Sequence, residues 1–441
     1  MVRLIGLFAS AAIAAGVGTA APAKDVVSTD YANIRAAVAA CAAAGGGRVV
    51  VPAGRHLHDG PIVMKSGVEL HLEDGAVVEF NDRLADYLPG VRVSWEGVEC
   101  VNVSPLVYAY GCTNVAITGT GLFKPRLGFW KTWNGDRKPL CEKANRTLKN
   151  DWAPRGLPVD ERRICDQPGA EFRPHFLHFN RCRNVRLDGF RVKGTPFWTI
   201  HLFLCADVNV RNLDIDAFDD DGFACYNSDG IDVECTRDVV IEGCSFCQND
   251  DAIVLKSGKD HDGRRLHTPT ENVTIRNCVV RRGHDLLAIG SELSGGIRNV
   301  HLHDCRVEGT VGRLVFLKTN PRRGGFLDGL LVEDVTADEV KNDAFGFITR
   351  YFYGRAGEEP LPDGERHTEV RGLVVRNVVC KKARQRIRIL GDSHCPIADA
   401  KLENVRVLDC AQPDEIVNVK RLLVDGKAVP SVTRETNGPQ Y

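Results

Sequence analysis

From about residue 48 onward the chain repeats one short pattern. A turn residue is followed by two alternating apolar positions, a polar turn and a second short apolar run. NVAITGTGLF from Asn114, NVRLDGFRV from Asn184 and NVRNLDI from Asn209 lie over one another, as do DVVIEGCSF from Asp238, NVTIRNCVV from Asn272 and NVHLHDCRV from Asn299. GLLVEDVTA from Gly329, GLVVRNVVC from Gly372 and DAKLENVRV from Asp399 continue the series, with starts mostly 24 to 34 residues apart. Alternation at period two reads as strand. A unit this short cannot bury its apolar face alone, whereas stacked neighbours bury one continuous core. The pattern therefore predicts an all-β chain, a right-handed single-stranded parallel β-helix. A β-propeller is the alternative, but its blades are longer, with four strands each. Asn recurring at the turns is expected to form hydrogen-bonded ladders.

Before the repeat, YANIRAAVAACAAA reads as one helix, with Ser28-Thr29-Asp30 as its N-cap and Gly45-Gly46-Gly47 as its stop. Such a helix would cap the open end of the sheet, whose unpaired edge otherwise invites aggregation. Two polar insertions break the period, at residues 131–170 and 258–270. Loops on one face of a solenoid often form its binding face. The basic run KKARQRIRIL from Lys381 reads as a solvated edge that also blunts aggregation.

Composition adds a few limits. The 441 residues carry a formal charge of −1 and a pI near 6.9, so no basic excess points to nucleic acid or anionic lipid. Arg3 followed by LIGLFASAAIAAGVGTAA has the form of a secretory leader, with a mature start near Lys24. The expected division is a signal at 1–23 and one catalytic β-helix at 24–441, exported to the periplasm or beyond. Of the 16 cysteines, most recur at repeat positions and read as stacked core residues. Cys141 and Cys165, in a polar insertion, are the better disulfide candidates. Cys244 and Cys247 have CxxC spacing but lack the second pair a zinc site needs.

Chemistry enters with the acids. Asn227 and Asp229 sit at i and i+2, and Asp250 and Asp251 follow 21 residues after Asp229. That interval is about one coil, which brings the carboxylates onto adjacent rungs about 4.8 Å apart. Like charges stacked so closely resist joint ionisation, which suits acid–base chemistry. Asp250 and Asp251 can both face a groove only if one lies at a turn or bulge. The next two coils bring His284 and Lys318 to the same ridge. Glycoside hydrolysis needs a protonated acid at the leaving oxygen and a carboxylate that activates water, and clustered acids supply both. His284 can orient a carboxyl group, and Lys318 suits an anionic sugar. Lys256 supports the acids or serves as an ion-pair partner. Trp95, Phe197, Trp198 and His201 are candidates for sugar contact or for core packing.

These motifs resemble those of glycoside hydrolase family 28, the polygalacturonase family of parallel β-helices. Asn227-Ser228-Asp229 matches its Asn-x-Asp motif, Asn249-Asp250-Asp251 its Asp-Asp motif, Gly283-His284-Asp285 its Gly-His-Gly, and Phe316-Leu317-Lys318 its Arg-Ile-Lys. VPAGRHLHDGPIVMKSGVELHLEDGA, WEGVEC, TPFWTIHLFLC and IGSELSGG are similar to stretches of the bacterial branch. The resemblance implies single-displacement, inverting hydrolysis of pectic galacturonan without a metal or other cofactor, and a monomer is expected. By resemblance Asp250 is the general acid, Asp229 and Asp251 share the base role, His284 supports the acid, and Asn227 and Lys318 hold substrate. Two positions depart from the motifs. Asp285 replaces a glycine beside His284. Phe316 replaces an arginine that grips a uronate carboxylate, so either Arg322 or Arg323 takes over or that subsite holds a neutral sugar, as in a rhamnogalacturonan. A calcium-dependent lyase and a non-catalytic carbohydrate-binding β-helix are the rival readings on this fold.

Overall fold

A computed structural model describes residues 25–352 and 364–436. The expected leader at 1–23 lies outside them. The parallel β-helix expectation is met: 29 strands join one sheet system, and every pairing between coils is parallel. A representative coil has three strands, Ile200–Phe203, Ala206–Arg211 and Asp214–Asp216. Each pairs with its counterpart in the next coil, Ile231–Glu234, Arg237–Glu242 and Ser245–Cys247. The always-parallel crossovers give the right-handed wind such connections take.

The period-two pattern explains the packing. Val185, Val208, Val239, Val273, Val300 and Leu330 are register partners in successive coils, and all point into the core with 2% exposure or less. Each such side chain contributes roughly 1.5–3 kcal/mol on burial. The turns follow from Asn and Asp chemistry. Asn114, Asn184, Asp238, Asn272 and Asn299 all have φ between 49° and 58°. Asn and Asp tolerate this left-handed region better than other residues with a side chain. The expected ladder is present: Asn184 Nδ2 donates to Asn114 Oδ1 at 2.7 Å, and Asn299 Nδ2 to Asn272 Oδ1 at 2.7 Å.

Two sequence expectations are corrected. Helix α1 (Ile34–Ala43) caps the first coils as expected, but its N-cap is Asn33, whose Oδ1 accepts from the Ala36 amide at 2.9 Å; Ser28–Asp30 forms a separate 3-10 turn. All 16 cysteines are free, so Cys141 and Cys165 are not bridged. The Cys165 thiol packs under Gly90, while Cys141 Sγ donates to the Glu171 carbonyl at 3.4 Å. The insertion at 131–170 is helical: it holds α2 (Lys138–Thr147) and a wider turn at Leu148–Trp152. The second insertion forms α3 (Asp260–Leu266). The two are pinned together through Arg162 and Asp262, 1% and 0% exposed, which pair at 2.9 Å. Among the described residues no helix is long and apolar enough to cross a membrane.

Candidate active site

One face of the helix carries a cleft of about 960 Å³. Its floor is the strand series Ile231–Glu234, Ile253–Lys256, the end of Val279–Gly290 and the end of Arg306–Lys318. Asp229, Asp250 and Asp251 sit just before these strands, His284 lies mid-strand in Val279–Gly290, and Lys318 ends its strand. Asn227, Asp229, Asp250, Asp251, Lys256, His284, Phe316, Lys318 and Arg322 all line the cleft. The sequence demand on the adjacent acids is met, because Asn249 and Asp250 form a bend ahead of strand Ile253–Lys256. The bend is held by the Asp251 amide, which donates to Asp250 Oδ1 at 3.0 Å.

Local contacts fix each group. His284 Nδ1 lies 3.1 Å from Asp250 Oδ1, and Lys318 Nζ donates to Asp251 Oδ2 at 2.8 Å. Arg173 donates to Asn227 Oδ1 at 3.0 Å. Asp229 and Asp251 are buried, and each keeps an Oδ1 with no hydrogen-bond partner among the described residues. These orphaned oxygens are expensive unless something in the cleft, such as water or a sugar hydroxyl, completes them.

The electrostatics are uneven. Burial, with the charges of Asp250, Asp232 and Asp251, pushes the Asp229 carboxyl well above the usual carboxylate range. Burial also raises Asp250, but the His284 hydrogen bond, the charges of His284 and Lys318, and the Asp251 amide together hold it below its ordinary value. His284 is raised, first by its hydrogen bond to Asp250 and then by the surrounding carboxylates, against burial. Asp285 is buried, and burial together with the Asp251 charge pushes its carboxyl well above the usual carboxylate range. The environment thus favours the protonated form of Asp229 and Asp285 and the charged forms of the His284–Asp250 pair.

Several residues play parts that sequence reasoning missed or left open. Asp232, 0% exposed, lies beside the acids with both carboxylate oxygens lacking a hydrogen-bond partner among the described residues, and burial raises it as well. Its signal was the run Ile231-Asp232-Val233-Glu234, where acids alternate with core residues. Lys256 is the ion-pair partner: its Nζ lies 2.9 Å from Glu292 Oε2 and 3.9 Å from Asp232 Oδ1. Of the aromatic candidates, Trp198 reaches the cleft. Trp95 and Phe197 stack on one another at 4.0 Å in a separate apolar cluster, and His201 is fully buried against Glu234 at 2.9 Å.

Phe316 is the main correction. It is 3% exposed, because the Arg313 guanidinium lies 3.9 Å from its ring centre and Tyr351 packs edge-on at 5.3 Å. A covered ring offers no face to rhamnose. Arg313 instead presents a cation where the motif arginine is missing. It is held there by Asp343, which accepts from Nε at 2.8 Å. Arg323 borders the cleft but is fully buried, with its guanidinium committed to Asp260 and Ser291. Arg322 lines the cleft but is turned toward Asp260 at 3.5 Å and Asn150 at 3.3 Å. Counting one coil from Asp285 reaches Arg313, its register partner, so the signal was present.

Two groups of side chains have metal-like spacing in this region. Candidate ligand atoms of Asp250, Asp251 and His284 lie within 4.8 Å of one another, but the Lys318 ammonium already neutralises Asp251. His175, His178 and His201 meet the same distance, yet their rings stack with interplanar angles of 19°, 30° and 38° instead of fanning about a common point.

Fold and cleft together define a class: a right-handed parallel β-helix with a carboxylate-lined groove on one sheet. The chain belongs to glycosyl hydrolases family 28, whose model matches residues 162–428. Among solved structures it is similar to an exopolygalacturonase from Thermotoga maritima, at 32% identity and TM-score 0.83, over 92% of this chain and 93% of that one. A family 28 exopolygalacturonase from Yersinia enterocolitica shares the fold, at 18% identity and TM-score 0.70, over 96% of this chain and 80% of that one. A probable polygalacturonase from Vitis vinifera is 23% identical over 274 residues, 61% of this chain and 54% of that protein. The chain thus spans about half the length of the first curated relatives it matches.

Proposed function

We propose that the protein is an inverting glycoside hydrolase that releases galacturonate from the ends of α-linked pectic galacturonan. The observation that carries this reading is the joint placement of Asp229, Asp250, Asp251, His284 and Lys318 in one cleft, with a guanidinium at Arg313 beside them. Lys318 and Arg313 bind the sugar carboxylate, with Asn227 and Arg322 on the cleft wall. A carboxylate on Lys318 cancels one of the charges that lowers Asp250. A proton held on Asp229 then passes to Asp250, which delivers it to the glycosidic oxygen. Asp229, now ionised, and Asp251 draw a proton from the attacking water on the opposite face of the ring. His284 holds Asp250 in position for this exchange.

End-wise action is supported by the helical insertion. Glu142, Asn145, Arg146, Lys149 and Asn150 wall the cleft, and Lys149 and Asn150 are tied down by Glu96 and Arg322. The exopolygalacturonase from Thermotoga maritima, alike over nearly the whole chain, supports the same reading. The leader-like N-terminus supports export, with residues 24–441 working as one monomeric catalytic unit on pectic polymer or oligomer.

Sized products from homogalacturonan and rhamnogalacturonan, compared side by side, test the proposal. Early release of monogalacturonate from homogalacturonan, unchanged by EDTA, is expected. A ladder of mid-sized oligomers refutes end-wise action. Preference for rhamnogalacturonan refutes the substrate, and unsaturated products absorbing in the ultraviolet refute hydrolysis.

A further inference from the structure

The cleft does not end at Phe316. A second cavity of about 370 Å³ shares Arg313 and Asn342 with the first and continues along the same face. Its walls carry Arg384 and Arg388 on strand Glu369–Leu390, with the carboxamides of Gln385 and Gln412. None of the insertion residues that wall the main cleft lines it. The path away from the closed side therefore runs into this basic cavity.

Register gives the distance. Ile253 pairs with Leu287, Leu287 with Val315, Val315 with Phe345, and Phe345 with Ile387. Four rungs separate the Asp251 coil from the Arg388 coil, about 19 Å at roughly 4.8 Å each. A pyranose in an extended chain spans about one rung. Gly346 stands between Phe316 and Arg388 in register, and its missing side chain makes room for the Asp343–Arg313 pair; a Cβ there would meet Asp343 Oδ2 at 2.3 Å. Its lining carries three guanidinium groups and two carboxylates; Asp343 accepts from Arg313 at 2.8 Å and Glu415 from Arg388 at 2.9 Å. Arg384 is exposed. The run around Lys381, expected to be a solvated edge, therefore divides: Lys381 and Lys382 are exposed and paired with Asp338 and Glu339, while Arg384 and Arg388 face the cavity.

Resting on the hydrolase reading above, we infer that this cavity is a distal subsite for uronate carboxylates two to four sugars beyond the point of cleavage. It would make the enzyme favour long galacturonan over the dimer. A guanidinium binds carboxylate in a planar, charge-assisted fork, and a row of them at rung spacing matches a polyanion.

The experiment compares kcat/KM on hexagalacturonate and digalacturonate for the wild type and for Arg384→Glu, an exposed position whose reversal the fold tolerates. The wild type should favour the hexamer by about tenfold, a preference that weakens with added salt. In Arg384→Glu the hexamer-to-dimer ratio should fall by about five- to tenfold. Titration of the hexamer into Asp250→Asn, with and without Arg384→Glu, should show the same loss in binding. A wild-type ratio near one, or a ratio unmoved by Arg384→Glu, overturns the distal subsite and leaves the hydrolase reading intact. A wild type inactive on both oligomers overturns both.

Discussion

Replacing Arg313 separates its structural role from its proposed substrate role. Arg313→Met removes the partner of Asp343, a carboxylate 4% exposed, and uncovers Phe316. Leaving one member of a buried pair uncompensated costs roughly 3–5 kcal/mol. The lost cation–π contact adds about 1 kcal/mol. The single variant should therefore be clearly destabilised in urea, and its activity alone would not be informative. Adding Asp343→Asn removes the stranded charge, so Arg313→Met/Asp343→Asn should recover most of the lost stability. What remains is the missing contact to the sugar carboxylate. A hydrogen bond to a charged group contributes about 1.5–3 kcal/mol, and each 1.36 kcal/mol is about tenfold in rate. The double variant should thus lose about 10- to 150-fold in kcat/KM on digalacturonate while keeping a near-wild-type unfolding midpoint. A stable double variant within about twofold of wild type would refute the idea that Arg313 stands in for the missing motif arginine.

Two further outcomes test other parts of the site. The His284 imidazole should titrate above its ordinary 6.5, because its hydrogen bond to Asp250 favours the protonated form; the pair's stabilisation is complete below about 6.5 and is lost as pH rises through the raised value. Nuclear magnetic resonance should show the midpoint falling in Asp250→Asn, and an unmoved midpoint rejects the pairing. Asp262→Ala should destabilise the protein by roughly 3–5 kcal/mol in urea, because it strands the buried Arg162 charge that fastens the two insertions together. Burial raises Asp262, but Arg265, Arg162 and the Glu99 amide hold it below its ordinary value, so this stabilisation is present above about pH 3.8 and fades as pH falls further. A variant as stable as wild type at neutral pH would contradict the tether.

The β-helix was legible because its cause is local. Val185, Val208 and Val239 recur at one position of each unit, and the Asn and Asp residues ahead of them mark left-handed turns. The acid ridge was legible for the same reason: once the interval is one coil, Asp229 and Asp250 must be neighbours. The insertions were not. The segment around helix α2 packs by long-range contacts, with Arg137 just before it reaching Glu171 and Lys149 just after it reaching Glu96, and no repeat announces them. Phe316 shows the limit most sharply. Its identity suggested a neutral sugar, but its meaning depends on Arg313, three residues earlier and carried over the ring by a pairing with Asp343 one coil on. The cysteines point the other way: of six at repeat positions, Cys182, Cys205, Cys244, Cys278 and Cys305 lie in the main core as their spacing implied, and Cys235 is buried outside it.

Asp250 carries the central claim, since the proposed chemistry passes its proton through that carboxyl group. The most direct test is galacturonate release from homogalacturonan by wild type and by Asp250→Asn, with the unfolding midpoint of each measured in parallel. The expected result is monogalacturonate from the wild type and a rate at least about 10²-fold lower from an equally stable variant. A folded Asp250→Asn variant that releases galacturonate at a near-wild-type rate would contradict the account.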